Sequence, residues 1–191
     1  MADLLARPLG LRTDAARNRA RLLDVARGQH AAGEGLSLNA IAHEAGVGVG
    51  TAYRHFPTHQ AVLEALAIDA FEAVLERARA VVDLPDPAAA LRGVVAALYA
   101  GVRAEPALAE MLAQGAFTCA DNRVIAGNLL GAFEALLVRA RAAGVVREDV
   151  TADDVRRLVC GIRLAAAAGP RPVAGPDRYV DVLLAGLRPS S

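Results

Sequence analysis

The chain has 191 residues, 54% hydrophobic but only 4% aromatic, so its apolar mass is chiefly Ala, Leu and Val. Its 21 acids balance 21 bases, all of them Arg, which excludes a protein that coats nucleic acid by bulk charge. The absence of Lys also excludes Schiff-base chemistry and a P-loop.

The two cysteines, Cys119 and Cys160, lack the CxxC spacing of a zinc ribbon and make no disulfide framework. No apolar run approaches the ~20 residues of a membrane span. Met1–Gly10 lacks the apolar core and cleavage site of a secretory signal. These features predict a cytoplasmic protein with no membrane partner.

In chain order, spacing at three and four residues predicts helices throughout. The first covers Ala16–Ala32, with Ala20, Leu23 and Ala26 on one face and Gly33 at its end. Ser37 is placed to cap a second, with Leu38, Ile41, Ala42 and Ala45 apolar and Gly46 closing it. A short third runs from Val49 to His55. Pro57 stops it, and Thr58 caps a long fourth through Val82. Asp86-Pro87 and Glu105-Pro106 are start signals for two more. Another spans Asp121–Ala143, and Thr151 opens the next with Asp153 and Asp154 near the positive end of its dipole. The run from Gly169 to Pro176 reads as a stiff linker before a last helix ending at Leu187. No alternating strand pattern and no hairpin turn interrupt this. The predicted class is all-α, with about nine helices.

Charge is uneven along the chain. Residues 1–59 hold seven Arg against five acids and all four His, whereas 60–191 hold fourteen Arg against sixteen acids. The basic part contains two short helices joined through Ala45-Gly46-Val47, the layout of a helix-turn-helix spanning 37–56. Its second helix would present N-terminal residues to the DNA major groove. Gly50, Thr51, Tyr53, Arg54 and His55 are the exposed candidates. Thr and Arg suit base edges, and Tyr and His suit phosphates. Phe56 reads as a core aromatic beneath that helix. Arg17 and Arg19 are either solvated or on phosphates.

This segment resembles the tetracycline-repressor (TetR) family of bacterial transcriptional regulators. The resemblance rests on Ile41-Ala42, Ala45-Gly46-Val47, Gly50-Thr51, Tyr53, His55-Phe56-Pro57 and Leu63. It implies a three-helix DNA-binding domain over 14–74 and a helical ligand-binding and dimerisation domain over 75–191. The implied DNA-binding residues are Arg17, Arg19, Ser37, Gly48, Gly50, Thr51, Tyr53, Arg54, His55 and His59. Two depart from the family pattern. Gly48 stands where a hydroxyl residue is usual, and His59 where a Lys or Arg is usual.

In the C-terminal domain the large or distinctive side chains Leu98, Tyr99, Met111, Phe117, Phe133, Cys160 and Arg163 are the candidate lining of a ligand pocket. Val155, Leu158, Val159, Ile162, Tyr179 and Leu183 are the candidate dimer contact. Either cysteine would need a low pKa and exposure to sense redox state. No GxSxG, HExxH or phosphate loop is present, and the His are confined to the first third, so no enzyme, cofactor or metal is expected. The expected function is a homodimeric repressor, released from a double-stranded, pseudo-palindromic operator by a small-molecule effector. The alternative is a ligand-binding or protein-interaction module whose reading head has weakened, which Gly48 and His59 keep open.

Overall fold

A computed structural model describes residues 9–115, 117–168 and 177–189. The expected linker at 169–176 lies outside the described residues. Among these the secondary structure is wholly helical. The helices are α1 (Leu9–Ala31), α2 (Leu38–Glu44), α3 (Val49–His55), α4 (His59–Val82), α5 (Pro87–Ala104), α6 (Pro106–Gln114), α7 (Ala120–Ala142), α8 (Ala152–Ala167) and α9 (Arg178–Gly186). The chain forms two compact units that part between Leu66 and Ala67, inside α4.

In the first unit, α1 begins seven residues before the expected Ala16, because Leu9–Ala15 holds no proline and its one glycine, Gly10, sits in the first turn rather than in the helix interior where glycine costs most. Among its described side chains Leu22 and Ala26 are buried while Ala20 is exposed, so the inward stripe is rotated from the one expected. Leu38, Ile41 and Ala42 of α2, Ala52 of α3, Phe56, and Val62, Leu63 and Leu66 of α4 are also buried. The α2–α3 turn is fixed by local chemistry. Gly46 takes φ +64°, which a side chain would strain. Its N–H donates to the His43 carbonyl at 3.2 Å, and the Val47 N–H donates to the Ala42 carbonyl at 2.9 Å. That pair of bonds is a Schellman ending, and the burial of Val47 supplies its usual apolar contact. Gln29 Nε2 donates to Glu44 Oε2 at 2.7 Å, which ties α1 to α2.

The caps follow the sequence with one exception. Thr58 Oγ1 accepts from the Ala61 N–H at 3.1 Å. Asp86 Oδ1 accepts from Ala88 at 2.9 Å, and Glu105 Oε1 from Ala107 at 3.0 Å, each ahead of a proline in the first turn. Thr151 and Asp154 form a reciprocal capping box. Ser37 departs: it heads α2 through its carbonyl, which accepts from the Ile41 N–H at 2.9 Å, and its hydroxyl makes no capping bond.

In the second unit α5 packs against α6, α7, α8 and α9. Its buried stripe is Leu91, Val94, Val95, Tyr99 and Val102. Gly101 permits a close approach to α4, since a Cβ there would collide with Val74 Cγ2. The Arg139 Nη1 donates to the Val82 carbonyl at 3.0 Å and Nη2 to that of Leu84, closing the C-terminal end of α4. Arg92 reaches Asp181 at 2.6 Å between α5 and α9. No helix among the described residues is long and apolar enough to cross a membrane.

Candidate functional site

Helix α3 is two turns long, and only Ala52 of it is buried. Its capping residue Gly48 accepts from the Thr51 and Ala52 N–H groups at 2.8 and 3.0 Å. Val49, Gly50, Tyr53 and Arg54 are exposed, and Thr51 and His55 are half-buried. Tyr53 is 45% exposed, so it belongs to the surface rather than the core. Phe56 is 2% exposed and underpins the helix, with the His55 ring tilted against it at 6.4 Å. The Arg19 guanidinium lies 5.0 Å from the Phe56 ring centroid, a cation–π contact that sets this cation beside the end of α3.

Arg17 pairs with Asp14 at 3.1 Å, and both side chains are more than half exposed, so the pair holds Arg17 only weakly. Ser37 and Gly48 are exposed, as is His59 at the start of α4. A Cβ built on Gly48 would meet only Thr51 Oγ1, at 3.9 Å. The missing hydroxyl there is a difference of chemistry, with room for a serine. One unit therefore carries short polar groups, an exposed phenol and several Arg around an open helix start. That combination suits phosphates and base edges.

The second unit holds a cavity of about 250 Å³. Its walls are Phe71, Val74 and Ala78 of α4; Val94, Val95 and Leu98 of α5; Leu112 and Gly115 at the end of α6; Phe117; Ala126, Leu129, Leu130 and Phe133 of α7; and Ala152, Asp153, Val155 and Arg156 of α8. Of the expected lining, Leu98, Phe117 and Phe133 are there. Tyr99 and Met111 are buried elsewhere, each adjacent in sequence to a lining residue and so about 100° around its helix from the cavity. Cys160 and Arg163 lie one and two turns beyond Arg156 on α8 and line no part of it. The Tyr99 hydroxyl has no hydrogen-bond partner among the described residues, and burial raises its pKa against the opposing effect of Arg103. Burial likewise pushes the Cys160 thiol up, which disfavours the reactive thiolate.

Phe71 and Arg156 are lining residues that the sequence did not single out. Phe71 is one more apolar residue in the repeat of α4, but its ring meets Phe117 with centroids 5.7 Å apart. Arg156 donates through Nε to Asp153 Oδ1 at 2.9 Å and through Nη2 at 2.5 Å. Its Nη1 donates to the carbonyls of Leu112 and Ala113, at the end of α6. Arg157 Nε donates to Asp153 Oδ2 at 2.5 Å. The hydrogen bond from Arg156 is the main cause holding the Asp153 carboxyl below its ordinary pKa.

Of the expected dimer residues, Val155, Val159 and Leu183 are buried in the chain's own core. Ile162 and Tyr179 are half-buried, and Leu158 is exposed. Leu164 on α8 and Val182 on α9 are further exposed apolar side chains. Among the described residues no group of three or more His, Cys, Asp or Glu is placed to hold a metal.

Comparison with known proteins places these features. Residues 86–189 match the family described as transcriptional regulator SbtR-like, C-terminal domain. Residues 22–66 match bacterial regulatory proteins, tetR family. A TetR transcription regulatory protein from Mycobacterium vanbaalenii is 37% identical, over 93% of this chain and 99% of that one, with a TM-score of 0.39. A TetR transcriptional regulator from Streptomyces coelicolor is 31% identical, over 93% and 99%, with a TM-score of 0.49. The ketosteroid transcriptional regulator KstR2 of Mycobacterium tuberculosis, 21% identical over 90% and 95% with a TM-score of 0.57, shares the fold. A search of curated proteins finds no match. With its helix-turn-helix and its C-terminal domain both matched, the chain belongs to the TetR family of transcriptional regulators.

Proposed function

We propose that the protein is a cytoplasmic, homodimeric repressor without catalytic activity, which leaves a pseudo-palindromic operator when a small molecule fills the cavity. The reading head would be 14–74 and the ligand-binding and dimerisation part 75–191. The observation that carries this reading is the placement of α4. That helix starts four residues after the last residue of α3 and contributes Phe71, Val74 and Ala78 to the cavity. A guest that shifts the cavity-lining part of α4 therefore acts on a helix whose first residues follow the reading helix in the chain. To empty the operator it must bind the released conformation better by several kcal/mol, since equal affinity for both shifts nothing.

In the dimer, Leu158 and Leu164 of α8 with Val182 of α9 supply apolar surface, and the exposed Gly161 and Ala165 allow close helix approach. Two reading heads would then meet successive major grooves. Thr51, Tyr53 and Arg54 contact DNA from α3, and Arg17, Arg19, Ser37, His55 and His59 position it. The second reading, a module with a weakened head, is favoured only by Gly48 and His59.

Binding of the protein to the promoter segment of its own gene tests the first reading. Thr51→Ala and Tyr53→Ala should each weaken it by about 1–3 kcal/mol while leaving the thermal melt unchanged. Unaltered affinity in both variants removes α3 as the reading helix.

A further inference from the structure

We infer that the cavity takes a neutral, ring-bearing molecule of on the order of ten non-hydrogen atoms, with one oxygen directed at the Asp153–Arg156 end. The inference rests on the regulator reading above and gives its effector a chemical class.

Size comes first. A cavity of ~150 Å³ lined by Leu, Ile and Phe accommodates benzene, so about 250 Å³ admits a substituted single ring or a small fused pair. Ring character follows from the distribution of phenylalanine. The chain has four Phe, and three of them, Phe71, Phe117 and Phe133, line this one cavity. The Phe71 and Phe117 rings are inclined by 31°. Their faces and edges offer a flat guest the offset and edge-on contacts that aromatic groups prefer.

Neutrality follows from how the charges are already matched. Among the described residues, Asp153 and Arg156 are the only charged ones in the lining. The guanidinium uses Nε and Nη2 on Asp153 and Nη1 on the ends of α6. The carboxylate is shared with Arg157. An anionic guest would have to draw Arg156 away from those acceptors, and it would also approach Glu134, whose Oε1 accepts from the N–H of the lining residue Ala152 at 3.2 Å. A cationic guest would find Asp153 already held by two guanidinium groups. Either ion would leave water for apolar walls without a free counter-charge, and that desolvation is costly. A neutral oxygen needs only to share an existing donor or acceptor at that end.

The test is calorimetric titration of the full-length protein with 2-naphthol, 2-naphthoate and 2-naphthylmethylamine at neutral pH. 2-Naphthol should bind, and both charged analogues should bind at least about tenfold more weakly. Ala126→Phe, which fills the cavity from α7, should abolish 2-naphthol binding. Leu130→Trp, at a half-exposed lining position, serves the same purpose should Ala126→Phe unfold the protein. Equal or tighter binding of either ion overturns the inference. So does failure of all three probes to bind, or binding that survives in the filled variants. Promoter binding measured on the same protein without probe separates the two claims: its absence defeats the regulator reading whatever the probes do.

Discussion

The two units use the same cation for opposite purposes. In the first, Arg17, Arg19 and Arg54 are exposed, one held loosely by Asp14 and one lying over Phe56. In the second, Arg139, Arg141 and Arg156 turn back onto carbonyls at the ends of helices and loops, closing α4, the segment at Val150 and α6. A guanidinium fork can hold two acceptors at once, which a Lys ammonium does less well. The zero net charge is therefore a sum over a surface able to meet phosphates and a domain that uses Arg as internal ties. Phenylalanine divides in the same way: Phe56 underpins the reading helix and the other three line the cavity.

The largest expected effect comes from removing the support under α3. Phe56→Ala should destabilise the first unit by about 3–5 kcal/mol, seen as an early transition in denaturant melts. A loss below ~1 kcal/mol would mean that Phe56 does not bear that helix. Next comes Arg156→Lys, which keeps the charge but loses the fork. A cost of about 2 kcal/mol is expected, from hydrogen bonds involving charged groups, whereas Arg54→Lys should stay within ~0.5 kcal/mol. Equal effects at the two sites would erase the contrast between the units.

Thr151→Ala should cost about 1 kcal/mol by removing the cap of α8. The same cap predicts a pH dependence. The hydrogen bond from Thr151 is the main cause lowering the Asp154 pKa in the folded protein. A group with a depressed folded pKa stabilises above its unfolded value and loses that contribution as pH falls through the folded one. Acid titration of wild type should therefore show more loss of stability below the ordinary carboxylate range than Thr151→Ala shows. The smallest effect on stability is Arg17→Ala, within ~0.5 kcal/mol, yet its salt dependence of DNA binding should fall by about one unit of slope.

Elements with local signals were legible in the sequence. Asp86-Pro87, Glu105-Pro106, Thr58 and Thr151 each satisfy nearby backbone groups, so a few residues suffice to place the helix start. The turn at Gly46 is legible for the same reason. Features set by distant partners were not. Arg156 acquires its place from carbonyls more than forty residues away on α6. Phe71 sits in an apolar repeat where any position fits a core equally well, and its role depends on Phe117. Leu98 and Tyr99 are neighbours in sequence with the same helical pattern around them, and only packing decides which one lines the cavity.

The first unit is proposed to read DNA although the chain as a whole is neutral. The most direct measurement is a salt titration of wild-type binding to its own promoter segment and to a scrambled duplex of equal length. A steep, linear fall of log affinity with log salt is expected on both, with a preference of at least ~10³ for the promoter at physiological salt. A shallow slope with no preference between the two duplexes would contradict it.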